Sequence, residues 1–168
     1  SYAFNAGAYP AGKAPEYLAV SCSDDNGATW SSPVLATTKN NPNDFNDKEA
    51  IWVDDLASSP YFGRVYLSWT EFRAAGQSAP VMVSVSTNGG NRFSAPKQLS
   101  PAGNNGTGNG RQGSMVRSGP DGTVYVAASV CSALLRISPE GTVSVALRAT
   151  DRWSPQGVAL QRDKIYVL

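Results

Sequence analysis

The sequence predicts an all-β fold, a β-propeller segment made of four-stranded antiparallel blades. Three observations predict it. The octet at 23–30, Ser-Asp-Asp-Asn-Gly-Ala-Thr-Trp, recurs in looser form 63 positions later at 86–93 as Ser-Thr-Asn-Gly-Gly-Asn-Arg-Phe, and both copies run on to a proline, Pro33 and Pro96. Self-similarity at a fixed period marks a chain built of stacked supersecondary units, each burying its apolar face only against its neighbours. A second ladder repeats an aliphatic-Tyr-aliphatic triplet at Val65-Tyr66-Leu67, Val124-Tyr125-Val126 and Ile165-Tyr166-Val167, with tyrosines 59 and 41 residues apart. Unequal spacing fits units that keep their strands and vary their loops. Finally, 16 Gly and 11 Pro punctuate the chain, and nowhere do apolar residues return every three to four positions for three turns.

Each strand is justified by four to eight alternating or continuous apolar residues bounded by Gly, Pro, Asn or Asp. On this basis strands are expected at 16–23, 34–37, 50–54, 64–70, 81–86, 97–99, 115–118, 123–130, 134–138, 142–147, 157–160 and 164–168. The turns Gly119-Pro120-Asp121-Gly122 and Ser138-Pro139-Glu140-Gly141 join the third blade's strands. Proline presets its φ there and glycine takes the positive φ that a tight hairpin needs. Grouped in fours, the strands give a partial blade at 1–38, blades at 46–100 and 111–148, and the start of another at 154–168.

Propellers close with four to eight blades, so these strands are expected to belong to a six- or seven-bladed ring. That ring is completed either by further chain or by assembly. In the assembled version, two closing strands near the N-terminus pair with two opening strands near the C-terminus of a second copy.

The composition excludes several classes. A net charge of +1 from 14 basic and 13 acidic residues, with no basic run, lacks the Lys/Arg footprint that nucleic acid requires. No apolar run approaches the roughly 18 residues of a membrane helix, and no secretion leader is visible. With no His and no paired Cys motif, a zinc site is excluded. Cys22 and Cys131 fall in strands of non-neighbouring blades, whose Cα atoms do not come within about 7 Å, which argues against a disulfide between them.

The pattern Ser23-x-Asp25-x-Gly27-x-Thr29-Trp30 resembles the Asp box, or bacterial neuraminidase repeat, of sialidase-like propellers. The copy at Ser86, Asn88, Gly90 and Phe93 is similar, with Asn for Asp. The tracts 47–54 and 59–69 resemble blade openings in bacterial sialidase-like proteins, so the likeness covers roughly 16–100. From 111 onward, the segments 120–126, 136–141 and 154–160 look more like generic six-bladed propeller blades of the NHL type. The resemblance implies a secreted or extracellular protein that acts on or binds glycans. It also implies that the box joins the third and fourth strands of a blade, on the side away from the ligand. Asp25 then accepts turn N–H groups, Gly27 takes positive φ and Trp30 buries its ring between sheets.

The opposite rim carries the functional expectation. It gathers Asp44, Asp47, Lys48 and Glu49, then Glu71 and Arg73, then Arg111 and Gln112, Ser129 and Ser132, and Asp151, Arg152 and Trp153. Guanidinium groups pair bidentately with carboxylates and a flat indole suits a pyranose face. Arg73, Arg111, Arg152 and Trp153 are therefore the ligand-binding candidates. Asp47, Glu49 and Glu71 are the acid/base candidates, since glycoside hydrolysis usually places two carboxyl groups about 5 to 10 Å apart. The sialidase arginine signature is absent: Arg136-Ile137-Ser138-Pro139 only echoes it, ahead of a hairpin turn.

No cofactor is expected. The oxygen-rich tract at 40–47 supplies the hard ligands that Ca²⁺ prefers, yet the same residue types are common in loops. The glycine- and asparagine-rich tract at 100–113 reads as an interblade linker. Three functional classes follow: a sialidase-like glycoside hydrolase, a non-catalytic propeller binding carbohydrate or protein, and a structural piece of a larger propeller without activity of its own. The partner expected is a glycan or another small polar ligand, with the rest of a propeller or a second copy completing the ring.

Overall fold

The computed structural model describes residues 2–6, 17–37, 44–73, 78–100, 114–129, 132–150, 154–161 and 164–168. Thirteen strands are present among them: β1 (Tyr2–Ala6), β2 (Tyr17–Ser21), β3 (Val34–Leu35), β4 (Phe45–Val53), β5 (Val65–Phe72), β6 (Val81–Ser86), β7 (Lys97–Gln98), β8 (Ser114–Ser118), β9 (Val124–Ala128), β10 (Ala133–Ile137), β11 (Val143–Arg148), β12 (Val158–Gln161) and β13 (Lys164–Val167). They form four antiparallel sheets in chain order, β1-β2-β3, β4-β5-β6-β7, β8-β9-β10-β11 and β12-β13.

The sheets stack face to face because alternate residues of each central strand serve different neighbours. In β5, Leu67 and Trp69 pack with Leu18, Val20 and Ala36 of the first sheet. Tyr66 of the same strand packs with Val116, Val124 and Val126 of the third. The pattern repeats one sheet on, where Ala127 and Leu134 meet Val158 of the fourth. Both faces of the two four-stranded sheets are thereby covered, so β5 is buried along Val65–Thr70 without the polar alternation of a one-sided sheet. The first strand of each sheet reaches the sheet before it: β4 touches β1, β8 touches β4 and β5, and β12 touches β8 and β9. The first strands are thus drawn together at one edge of the stack, as radially set blades require.

The 63-residue repeat is preserved at the level of single bonds. Leu18 N donates to Thr37 Oγ1 and Val81 N to Ser100 Oγ, both at 2.9 Å. Ser31 N donates to the Cys22 carbonyl and Ser94 N to that of Val85, both at 2.8 Å. Cys22 N in turn donates to Ser31 Oγ at 3.0 Å, and Val85 N donates to Ser94 Oγ at 3.1 Å.

Three expectations are revised. The alternating Tyr2-Ala3-Phe4-Asn5-Ala6, not foreseen as a strand, is β1 and pairs with β2 from Tyr2↔Ser21 to Ala6↔Tyr17. It occupies the edge of β2 opposite β3. Next, β4 starts at Phe45 and not at residue 50. A bulge between Asp47 and Ala50, with Lys48 at φ 58°, hides the strand's periodicity in the sequence. The third concerns Trp30, which is 52% exposed and not sandwiched between sheets; its indole Nε1 donates to the Gly27 carbonyl at 3.2 Å and the ring lies over its own hairpin.

Candidate functional site

The antiparallel order fixes two rims. Connections between first and second, and between third and fourth, strands of a blade fall on one; connections between second and third strands, and between blades, fall on the other. Both boxes lie on the first rim, at the β2–β3 and β6–β7 hairpins.

The box chemistry is internal. Ser23 Oγ donates to Asp25 Oδ1 at 2.8 Å and receives Gly27 N at 2.8 Å. Asp25 Oδ1 receives Thr29 N at 2.8 Å, and Oδ2 receives the Thr29 hydroxyl at 2.6 Å. The second copy repeats this with Ser86, Asn88, Gly90 and Arg92 N, at 2.9, 2.9 and 3.0 Å for the corresponding bonds. Arg92 has no hydroxyl, so the second carboxylate oxygen has no role at that place and Asn suffices. Both corners turn on two left-handed residues, Asn26-Gly27 and Gly89-Gly90. Hydrogen bonds from the Thr29 hydroxyl, Thr29 N–H and Ser23 hold the Asp25 carboxyl down at about 2. Phe93 packs with Cys22 against the core between the first two sheets.

On the opposite rim, Asp47, Glu49 and Glu71 stand on strands, Asp47 and Glu49 in β4 and Glu71 near the end of β5. Register separates them. Asn46 pairs with Glu71 and Asp47 with Thr70, and directly opposed residues share a face while successive ones alternate. Glu71 therefore belongs to the face turned to the first sheet, and Asp47 to the face turned to the third. Lys48 N donates to Asp47 Oδ1 at 2.8 Å, and its ammonium lies 3.6 Å from Oδ2. Glu49 is half-buried at the bulge.

Arg73 is built into its own sheet. Its Nε donates to Glu71 Oε1 at 2.7 Å, Nη1 donates to Gln98 Oε1 at 3.2 Å, and Nη2 lies 3.8 Å from Met82 Sδ. One guanidinium thus ties the ends of β5, β6 and β7 together. Gln98, not foreseen from the sequence, completes the cluster by donating to the Ser100 carbonyl at 2.7 Å. Asp44 directly precedes β4 and is half-buried; Ser129 is buried at the end of β9, and Ser132, at φ 46°, donates its backbone N–H to the Ser129 carbonyl at 3.2 Å. Arg111, Gln112, Asp151, Arg152 and Trp153, and Cys131 with them, lie outside the described residues, as do 40–43 of the oxygen-rich tract.

The same rim carries an aromatic pair that the sequence reading did not single out. Phe45 and Phe72 oppose each other across β4 and β5 with ring centroids 5.4 Å apart and planes inclined at 35°. Phe45 is 43% exposed. By the same register both rings share the face of Asp47. The available signal was a Phe just before the Asn-Asp-Lys-Glu tract and another directly after Glu71; the bulge at Lys48 concealed that the two lie opposite each other.

No protein-family model and no curated protein matches the chain. Two solved structures share its fold. One is a fructofuranosidase from Schwanniomyces occidentalis complexed with fructose, 13% identical, with a TM-score of 0.55 over 97% of this chain and 36% of that one. The other is a protein of unknown function from Dyadobacter fermentans, 16% identical, with a TM-score of 0.50 over 82% of this chain and 35% of that one. The chain thus spans about a third of each structure's length. At these identities the likeness concerns the fold, and it agrees with the face-to-face stacking of four-stranded sheets: the chain is an all-β, β-propeller segment.

Proposed function

We propose that this chain binds glycans as part of a sialidase-like propeller, at the rim opposite its Asp boxes. The observation that carries this reading is the Phe45–Phe72 pair, with Phe45 exposed and Phe72 half-buried, on the face of Asp47. Aromatic faces cover the apolar side of a sugar ring while a nearby carboxylate accepts from its hydroxyls. Asp25 and Asn88 are occupied by their own turns, which supports reading the boxes as corners and the Phe45 rim as the glycan-facing one. Fold likeness to a fructofuranosidase supports a sugar-related role by analogy alone, since one fold hosts many functions.

Binding is favoured over hydrolysis by the register. By register Asp47 and Glu71 belong to opposite faces of one sheet, whereas glycoside hydrolysis usually sets its two carboxyl groups across one bond. Arg73, held by Glu71 and Gln98, acts as a brace of the rim.

A glycan array, followed by titration of the best ligand, tests the proposal. Binding that falls at least tenfold in Phe45→Ala, with no turnover of a fluorogenic sialoside, is the expected result. Turnover lost in Glu71→Gln would establish the hydrolase reading in its place, and an array with no signal above background would remove the glycan reading.

A further inference from the structure

On the box rim, a cleft of about 240 Å³ lies between the second and third sheets. Its walls are the start of β5 and end of β6 on one side, and the start of β9 and end of β10 on the other, with the segment after the second box across its mouth. Val83, Val85, Val124 and Ile137 make the interior apolar. Among the described residues, the charged ones lining it are Arg64 and Lys97, both cationic, with no carboxylate beside them.

We propose that this cleft binds a small organic carboxylate with a planar apolar body. The cations are fixed in place. The Arg64 guanidinium lies 3.7 Å from the centroid of the Tyr61 ring, a stack that holds its plane, and it also hydrogen-bonds the Tyr66 hydroxyl, so two of its neighbours fix it at the wall of the cleft. Lys97 Nζ donates to the Gly141 carbonyl across the gap between sheets, which uses one of its three donors. Tyr66, whose phenol is pushed up by burial, remains a hydroxyl donor at neutral pH.

Size and polarity select the ligand class. A cavity of about 150 Å³ admits benzene, so this cleft has room for a ring and a carboxylate. A pyranose, with hydroxyls around its ring, would leave several of them against valine and isoleucine without partners, at a cost for each. An apolar plane with one anionic head satisfies both the floor and the mouth. This site lies on the rim away from Phe45 and does not depend on the glycan reading.

The test uses ligand-observed NMR titration of the whole chain with benzoate, and with benzyl alcohol as its uncharged counterpart. Benzoate is expected to bind at least tenfold more tightly than benzyl alcohol. The exposed Lys97→Gln should weaken benzoate roughly tenfold, the loss of one charge-assisted bond, and leave the urea midpoint of unfolding in place; Arg64→Gln should do the same to affinity. Ala95→Trp, at the exposed mouth, should abolish binding. Because Arg64→Gln also removes the Tyr61 stack, Lys97→Gln keeps the test valid should that variant unfold. Equal affinity for the two probes, no benzoate binding, or benzoate binding that Lys97→Gln and Ala95→Trp both leave unchanged would overturn the proposal.

Discussion

The Cys22 thiol donates to the Gly89 carbonyl at 3.6 Å, so that the two box hairpins of neighbouring sheets touch. A Cβ built on Gly90 would stand 3.1 Å from the same sulfur, whereas one on Gly89 would meet nothing within 4 Å. Both glycines have left-handed backbone, at φ 69° and 91°. Gly89→Ala is expected to cost about 1 kcal/mol from conformation alone, and Gly90→Ala about 1 kcal/mol more from crowding. Adding Cys22→Ala to Gly90→Ala should recover part of that excess in urea unfolding. Strict additivity of the two substitutions would contradict the contact.

Acid should loosen the first box before the second. The Asp25 carboxyl lies at about 2, below its ordinary 3.8. A lowered folded-state value means stability that is fully present above about pH 4 and is lost as pH falls towards 2. Asp25→Asn, which copies the Asn88 arrangement, is expected to flatten that part of the stability profile. Thermal midpoints measured between pH 2 and 5 check this; parallel curves for the two proteins would refute it.

Contact between the second and third sheets depends on Gly122. Its φ is 79°, and a Cβ there would run into the Tyr61 ring. Gly122→Ala should therefore destabilise by roughly 2 to 4 kcal/mol, strain and overpacking together. Tyr61→Ala in the same chain should relieve the collision but not the strained backbone. Chemical denaturation of the single and double variants distinguishes the two contributions.

The same pair of sheets is joined by Trp52, whose indole Nε1 donates to Ser118 Oγ at 2.9 Å beneath the Arg117 guanidinium, 4.3 Å from the ring. Ser118→Ala should cost about 1 kcal/mol, because the half-buried indole N–H loses its acceptor. Trp52→Phe in the Ser118→Ala background should then add less than it does alone. Equal costs in the two backgrounds would show that the bond contributes nothing.

Much of the architecture was legible because it is local. The box octet states its own turn: Ser, Asp or Asn, and Gly at fixed offsets bond within eight residues of chain. Strands such as Val81–Ser86 and Val124–Ala128 advertise themselves through apolar runs bounded by turn residues. What failed was also local in cause. The bulge at Lys48 breaks the period of two, so Phe45–Glu49 read as loop, and the short alternation at Tyr2–Ala6 passed unnoticed.

The site was legible only as a set of residue types on a rim. Which of them meet depends on register, a property of two strands together: a shift of one residue reverses the face of every side chain. Only the pairing of Asn46 with Glu71 shows that Asp47 and Glu71 diverge, that Phe45 and Phe72 converge, and that Arg73 braces its own sheet. Residue order alone thus determined the blades, the corners and the rim on which they turn. Tertiary structure decided which side chains share a face, because contact across strands and sheets is set by partners that lie 20 to 70 residues away in the chain.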